Sequence, residues 1–255
     1  MSNIPFFSKA LNRRQWLLLT GTSLAGCGGA DGLLAGLPGT GGTGAVYSQG
    51  TISGFGSVWV NAVKYDDSAA TVLVNGQPAQ ARDLRLGMVA EVSGERTGND
   101  PITGAALGKA SDITVWSIAE GPISSLGYTG TTLTSLQMMG MQFLLDGNTN
   151  LDATLLASNQ NVVIWGLMAN EAATQWRATR IQVQQDVTTR LSIGRTQHVG
   201  GQVMLNGMAL SGEAVVDLRD GQLVRVQGTQ TETSSMMVSR VWLLDASVEV
   251  PTQAM

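Results

Sequence analysis

The chain has 255 residues, of which 43% are hydrophobic and only 13% charged, with 15 basic against 19 acidic side chains and a net charge of -4. The charged share is far below the ~25% of an average globular protein, which suits strands better than amphipathic helices, while the hydrophobic share excludes a wholly disordered chain. No basic run follows residue 26, so the counterion-displacing surface that a nucleic-acid partner requires is excluded.

The N-terminus is tripartite. Arg13-Arg14 precedes the apolar run Trp16-Leu17-Leu18-Leu19, and Leu24-Ala25-Gly26 leads into Cys27, the only cysteine. Thr20, Gly21, Thr22 and Ser23 interrupt the run, leaving it well short of the ~20 residues of a membrane span. A basic segment, a short apolar segment and a small-residue cleavage site form an export signal, with residues 1–26 as the signal helix to be removed. With cysteine directly after Leu24, Ala25 and Gly26, it resembles a bacterial lipoprotein signal with its lipobox. That resemblance implies cleavage before Cys27 and a lipid anchor on its sulfur. Asn12 to Leu17 is also similar to a twin-arginine signal, through Arg13 and Arg14, with general secretion as the other route. Residues 27–45 carry glycine at nearly every other position and read as a flexible tether. No Gly-Lys-Ser/Thr follows, so a phosphate loop is not indicated. With one cysteine, and that one taken by lipid, no internal disulfide can form.

Beyond the tether the chain repeats three times. Gly50-Thr51-Ile52-Ser53-Gly54-Phe55-Gly56 recurs as Gly121 to Gly127 and, more loosely, as Gly194 to Gly200. Each opening leads to a hairpin pattern, over Val58–Tyr65, Leu136–Phe143 and Val203–Leu210, and Asn206-Gly207 is the favoured type I′ pair. A third landmark, Leu-x-x-Gly/Asn followed by a strand and a glycine, occupies 84–94, 156–166 and 218–228. Its glycine or asparagine calls for a positive φ. Short closing strands are predicted over 110–115, 178–183 and 238–243. Five short strands in 60 to 70 residues fit a small closed barrel. The predicted fold is all-β: three tandem five-stranded, OB-like barrels at 46–117, 118–186 and 187–246, with a tail at 247–255. A bladed or sandwich-like arrangement is the alternative. The short spacers predict abutting barrels in a stiff rod.

Gly50 to Ser57, the Val58-x-Val60-Asn61-Ala62-Val63 hairpin and Leu84-x-x-Gly87-Met88-Val89-x-x-Val92-x-Gly94 together resemble the bacterial domain of unknown function 5666, found in exported proteins and often in tandem. The match is clearest in the first repeat. The second has Met139-Gly140 in place of Asn-Gly, and the third has Thr196-Gln197 in place of Ile-Ser. The resemblance implies no activity and no catalytic residue.

Catalytic chemistry is poorly supplied. His198 is the only histidine and sits at a variable repeat position without a second ligand pattern. Asp66, Asp67, Glu91, Asp112 and Glu120 have no counterparts in the other repeats. Asp146 to Asp152 alternates oxygen donors like a calcium loop, but Leu151 stands at its turn glycine and Ala157 at its bidentate acid. Backbone-bonding turn residues explain it, and neither a metal nor another cofactor is expected. Trp59, Trp165 and Trp242 alternate with apolar strand residues, so period two points them out of their own barrels. They pack on a neighbouring barrel or second chain, or form stacking platforms for a sugar ring. The expected protein is therefore a non-enzymatic, lipid-anchored component of the cell envelope with a binding or assembly role. Gly28 rather than aspartate after Cys27 favours the outer membrane, facing the periplasm or cell surface. Its partners are the membrane, through the lipid, and an envelope protein or glycan. The alternative is a periplasmic carbohydrate or small-ligand receptor working through the three tryptophans.

Overall fold

The structure is a computed structural model, and it describes residues 45–54, 57–152, 155–185, 189–232 and 234–244. Arg13, Arg14, Leu24, Ala25, Gly26, Cys27, all but the last residue of the 27–45 tether and the 247–255 tail lie outside the described residues. Ala45, assigned to the tether from sequence, is the first residue of a strand. The described residues are β-strand throughout, apart from turns and two single-turn 3-10 helices at Ala81–Asp83 and Glu213–Val215. None of them forms a helix long and apolar enough to cross a membrane.

In the first stretch, β1 (Ala45–Gly54) lies between β2 (Val58–Val60) and β6 (Val89–Asn99), antiparallel to both. β2 pairs with β3 (Val63–Asp66), β6 pairs with β7 (Ala106–Val115), and β3 runs parallel to β7. The pairings thus close into a cycle. β4 (Thr71–Val74) continues along β7 beyond β3 and turns back as β5 (Gln77–Ala79). Alternation decides which faces turn inward: Ile52, Val58, Val60, Tyr65, Val92 and Ile113 are buried.

The second stretch has the same order. Its first strand is interrupted after Pro122, so β8 (Ala119–Pro122) pairs with β13 (Asn161–Met168), and β9 (Ser125–Thr129) pairs with β10 (Thr132–Met138). A proline cannot donate to a ladder, and such breaks are where strands change partner. β10 pairs with β11 (Met141–Leu144), which runs parallel to β14 (Gln175–Val183), while the short β12 (Asn150–Leu151) lies along the same β14. β14 returns antiparallel to β13. The third stretch repeats the order without interruption: β15 (Arg190–Val199), β16 (Gln202–Leu205), β17 (Met208–Ser211), β18 (Leu223–Glu232) and β19 (Ser235–Leu243), with β17 parallel to β19. The closing strands β7, β14 and β19 are nine or ten residues long, not the short segments predicted. Residues before the predicted starts are recruited to pair with the long fourth strand.

The repeat landmarks are structural. Gly87, Asn159 and Gly221 have φ of +84°, +64° and +78°, and Asn61-Ala62, Met139-Gly140 and Asn206-Gly207 are left-handed at both positions, as type I′ turns require. At Gly94, Gly166 and Gly228 the fourth strand slips register against the fifth. A Cβ at these bulges would lie 2.1, 2.4 and 2.1 Å from the carbonyls of Lys109, Arg177 and Met237. Only glycine lets the backbones approach so closely.

The stretches are not beads in a row. Glu120 of β8 pairs with Leu191 of β15, so the second and third stretches share one sheet and a single hydrophobic core. The first has its own core, completed by Val163 and Trp165 from β13. Its Leu86-Gly87 turn docks on β14: the Thr179 hydroxyl donates to the Gly87 carbonyl at 2.6 Å, and Arg180 donates to the Leu86 carbonyl at 3.0 Å. The third stretch also reaches the end of the first, where Arg225 of β18 and Trp242 of β19 meet Trp116. The predicted serial rod is therefore corrected: residues from all three stretches converge on one place.

Candidate functional site

Two cross-strand ladders face that place. On the first stretch, Gln49, Glu91 and Thr114 lie side by side across β1, β6 and β7. On the third, Ile193, Arg225 and Trp242 lie side by side across β15, β18 and β19. Between them a cleft of about 570 Å3 is closed by Trp116, just past β7, and by Leu167 and Met168 at the end of β13.

Arg225 is the central charge. It is only 7% exposed, and its guanidinium carbon sits 4.5 Å from the centroid of the Trp116 ring. A cation over an indole face is held by the ring quadrupole, the more so when shielded from water. Its Nε is buried without a hydrogen-bond partner, while the residue, a planar five-donor group, contributes to the cleft wall. Burial lowers its pKa to about 10, against the pull of Glu91 and Glu120. Trp242 meets Trp116 edge to face, with centroids 5.4 Å apart and planes at 63°, a favourable aromatic geometry. Trp116 is further wedged against Gly76, where a Cβ would lie 3.2 Å from the ring. Trp116 therefore anchors Arg225, while the half-buried Trp242 is the ring available to the cleft. At the other ladder Gln49 Nε2 donates to Glu91 at 3.3 Å. The Tyr47 hydroxyl, on a ring 66% exposed, has its pKa raised by partial burial and by the neighbouring Glu91 carboxylate.

Behind the cleft a polar knot ties the first two stretches. Asn75, held at φ +51° in the β4–β5 turn, accepts the Ser117 backbone N–H at 2.8 Å and donates to Glu120 at 2.6 Å. The fully buried Ser117 also donates its hydroxyl to Glu120 at 2.8 Å. Burial raises the Glu120 pKa, partly offset by Ser117 and Arg225.

The three tryptophans singled out from sequence fare differently. Trp242 lines the cleft. Trp165 is 3% exposed, packed into the core of the first stretch with its indole N–H unpaired; with no accessible face, it offers no platform. Trp59 is half-buried against Gly54, away from the cleft. Trp116, Arg225 and Asn75 were missed. Nothing in the local sequence marks Trp116 or Arg225, because they matter through contacts between stretches. A faint signal existed for Asn75-Gly76, a further type I′ pair.

His198 lies on a different cavity, of about 610 Å3, with Nδ1 2.6 Å from Asp220. Its polar groups are already spent on the protein: Arg195 donates to the carbonyls of Glu171 at 3.0 Å and Gly221 at 2.8 Å. The larger volume is thus the poorer ligand site. In the Asp146–Asp152 loop, Asp146 accepts the Asn148 N–H at 2.8 Å, Asn150 donates to the Thr179 carbonyl at 3.2 Å and Asp152 pairs with Arg180. Among the described residues no three acidic, histidine or cysteine side chains gather as metal ligands.

Residues 120–182, from β8 to the end of β14, match the family model of a domain of unknown function (DUF5666). The match falls on the second stretch, although the motifs read from the sequence are clearest in the first. No curated protein matches the chain.

Proposed function

We propose that this protein is an exported, lipid-anchored component of the cell envelope with a non-catalytic binding role, and that its ligand is held in the cleft where the three stretches meet. The observation that carries the reading is Arg225, a guanidinium buried on Trp116 at the cleft wall with its Nε unsatisfied. Burying a charged group with an unbonded donor is costly for folding alone. We further propose that the stretches around residues 120–182 are copies of the same domain, each an OB-like barrel. The shared cycle of pairings, the positive-φ landmark and the bulge glycine support this. The anchor reading rests on the Arg13-Arg14 to Cys27 pattern, with the outer membrane as the favoured destination.

Two experiments test the proposal. Intact-mass analysis of natively purified protein should show residues 1–26 gone and a diacylglycerol on Cys27; an unmodified full-length chain would refute the anchor. A photo-crosslinking residue at Met168, which is 41% exposed on the cleft wall, should trap a ligand in cells, whereas one at Tyr128, exposed but remote from the cleft, should not. Equal trapping at both would refute the cleft.

A further inference from the structure

The cleft has the chemistry to recognise an uncharged saccharide. Its two charged side chains are of opposite sign: Arg225 on the third-stretch ladder, Glu91 on the first. A ligand bridging them must offer acceptors to one wall and donors to the other. Sugar hydroxyls do both. An anionic ligand would satisfy Arg225 but press against Glu91, and the remaining acidic charge of the chain would repel it. A cationic ligand would meet the reverse conflict at Arg225. Aromatic rings complete the match: Trp242 lines the cleft, and Tyr47 extends from Glu91 as an exposed ring beyond it. The C–H face of a pyranose packs on such rings while its hydroxyls reach the polar groups beside them. Gln49 adds an amide on the Glu91 side. About 570 Å3 is within the range of small-ligand sites and suits a short run of sugar units.

We propose that the cleft binds an uncharged oligosaccharide, with Trp242 stacking one sugar ring, Arg225 and Glu91 dividing its hydroxyls as donor and acceptor, and Tyr47 supporting the next unit. This rests on the cleft reading above and adds the class of ligand.

The test is tryptophan emission of the purified, anchored protein in detergent, titrated with cellohexaose, maltohexaose, xylohexaose and chitohexaose, and in parallel with hexagalacturonate. At least one neutral sugar should give a saturable change, with hexagalacturonate at least about tenfold weaker. Arg225→Met and Trp242→Ala should each weaken binding about tenfold or more, while Trp59→Phe, outside the cleft, should leave the titration curve in place. Thermal unfolding confirms that each variant is folded. Should Arg225→Met fail to fold, Glu91→Gln serves instead: it should weaken the neutral sugar and narrow its advantage over hexagalacturonate. No change with any neutral sugar, a preference for hexagalacturonate, or binding indifferent to Trp242→Ala would overturn the proposal. Crosslinking from Met168 would then still show whether the cleft holds another ligand.

Discussion

Replacing Asn75 by glycine should cut the polar knot behind the cleft while leaving the turn intact. Glycine adopts the +51° φ of that position without strain, so the loss falls on the side chain. Three hydrogen bonds go, the weakest being the 3.2 Å one from the Ser117 hydroxyl, which keeps its bond to Glu120. The one to Glu120, 2.6 Å long, is charge-assisted when the carboxylate is ionised and contributes ~1.5–3 kcal/mol; the one from the Ser117 N–H, 2.8 Å, contributes ~0.5–1.5 kcal/mol. Because Ser117 is fully buried, its N–H is left without water as well. The expected cost is about 2–4 kcal/mol. At ~2–4 °C per kcal/mol for a unit of this size, the melting temperature should drop by roughly 5–15 °C in scanning calorimetry at mildly alkaline pH. Asn159→Gly is the control: that residue is also left-handed, at +64°, but its side chain is exposed. It should cost under about 1 kcal/mol, from backbone entropy. If the two variants melt together, the knot contributes nothing and the reasoning fails.

Glu120 gives a pH signature. Because burial raises its folded pKa, the folded state binds its proton more tightly than the unfolded chain does. Its contribution is therefore fully present below the ordinary carboxylate range and is lost as pH rises through the folded value; Glu120→Gln should flatten that part of the stability profile, and an unchanged slope would disprove it. Gly228→Ala drives a Cβ to 2.1 Å from the Met237 carbonyl and should cost about 1–3 kcal/mol by chemical denaturation, whereas a neutral result would mean the bulge can relax. Arg180→Met removes the bond to the Leu86 carbonyl at 3.0 Å and the pair with Asp152. It should loosen the first stretch, seen as faster limited proteolysis between Val115 and Ala119.

The sequence makes the inside of each repeat legible because those features are local. Period-two alternation marks Val58 and Val60 as buried, and Leu84, Leu156 and Leu218 are buried at the same landmark. Gly87, Asn159 and Gly221 carry the positive φ that their spacing demands. The outward direction of Trp165 is legible too, but not its destination in the core of the first stretch. The lengths of β7, β14 and β19 escape the reading because pairing with β6, β13 and β18 extends strands into residues of weak pattern such as Ala106-Leu107-Gly108. The cleft escapes for a stronger reason. Glu91, Trp116, Arg225 and Trp242 are up to 151 residues apart, and each looks unremarkable among its neighbours. Only the return of the third stretch to the end of the first brings them together.

The fusion of the second and third cores bears on how such a chain can change over time. A module with its own sealed interior can be copied, dropped or traded between proteins at little penalty. Here Leu205 and Met138 belong to one interior, so deleting either module would open the flank of the other to water. The two stretches are thus mutually dependent, and a change that removes one takes part of the other's interior with it.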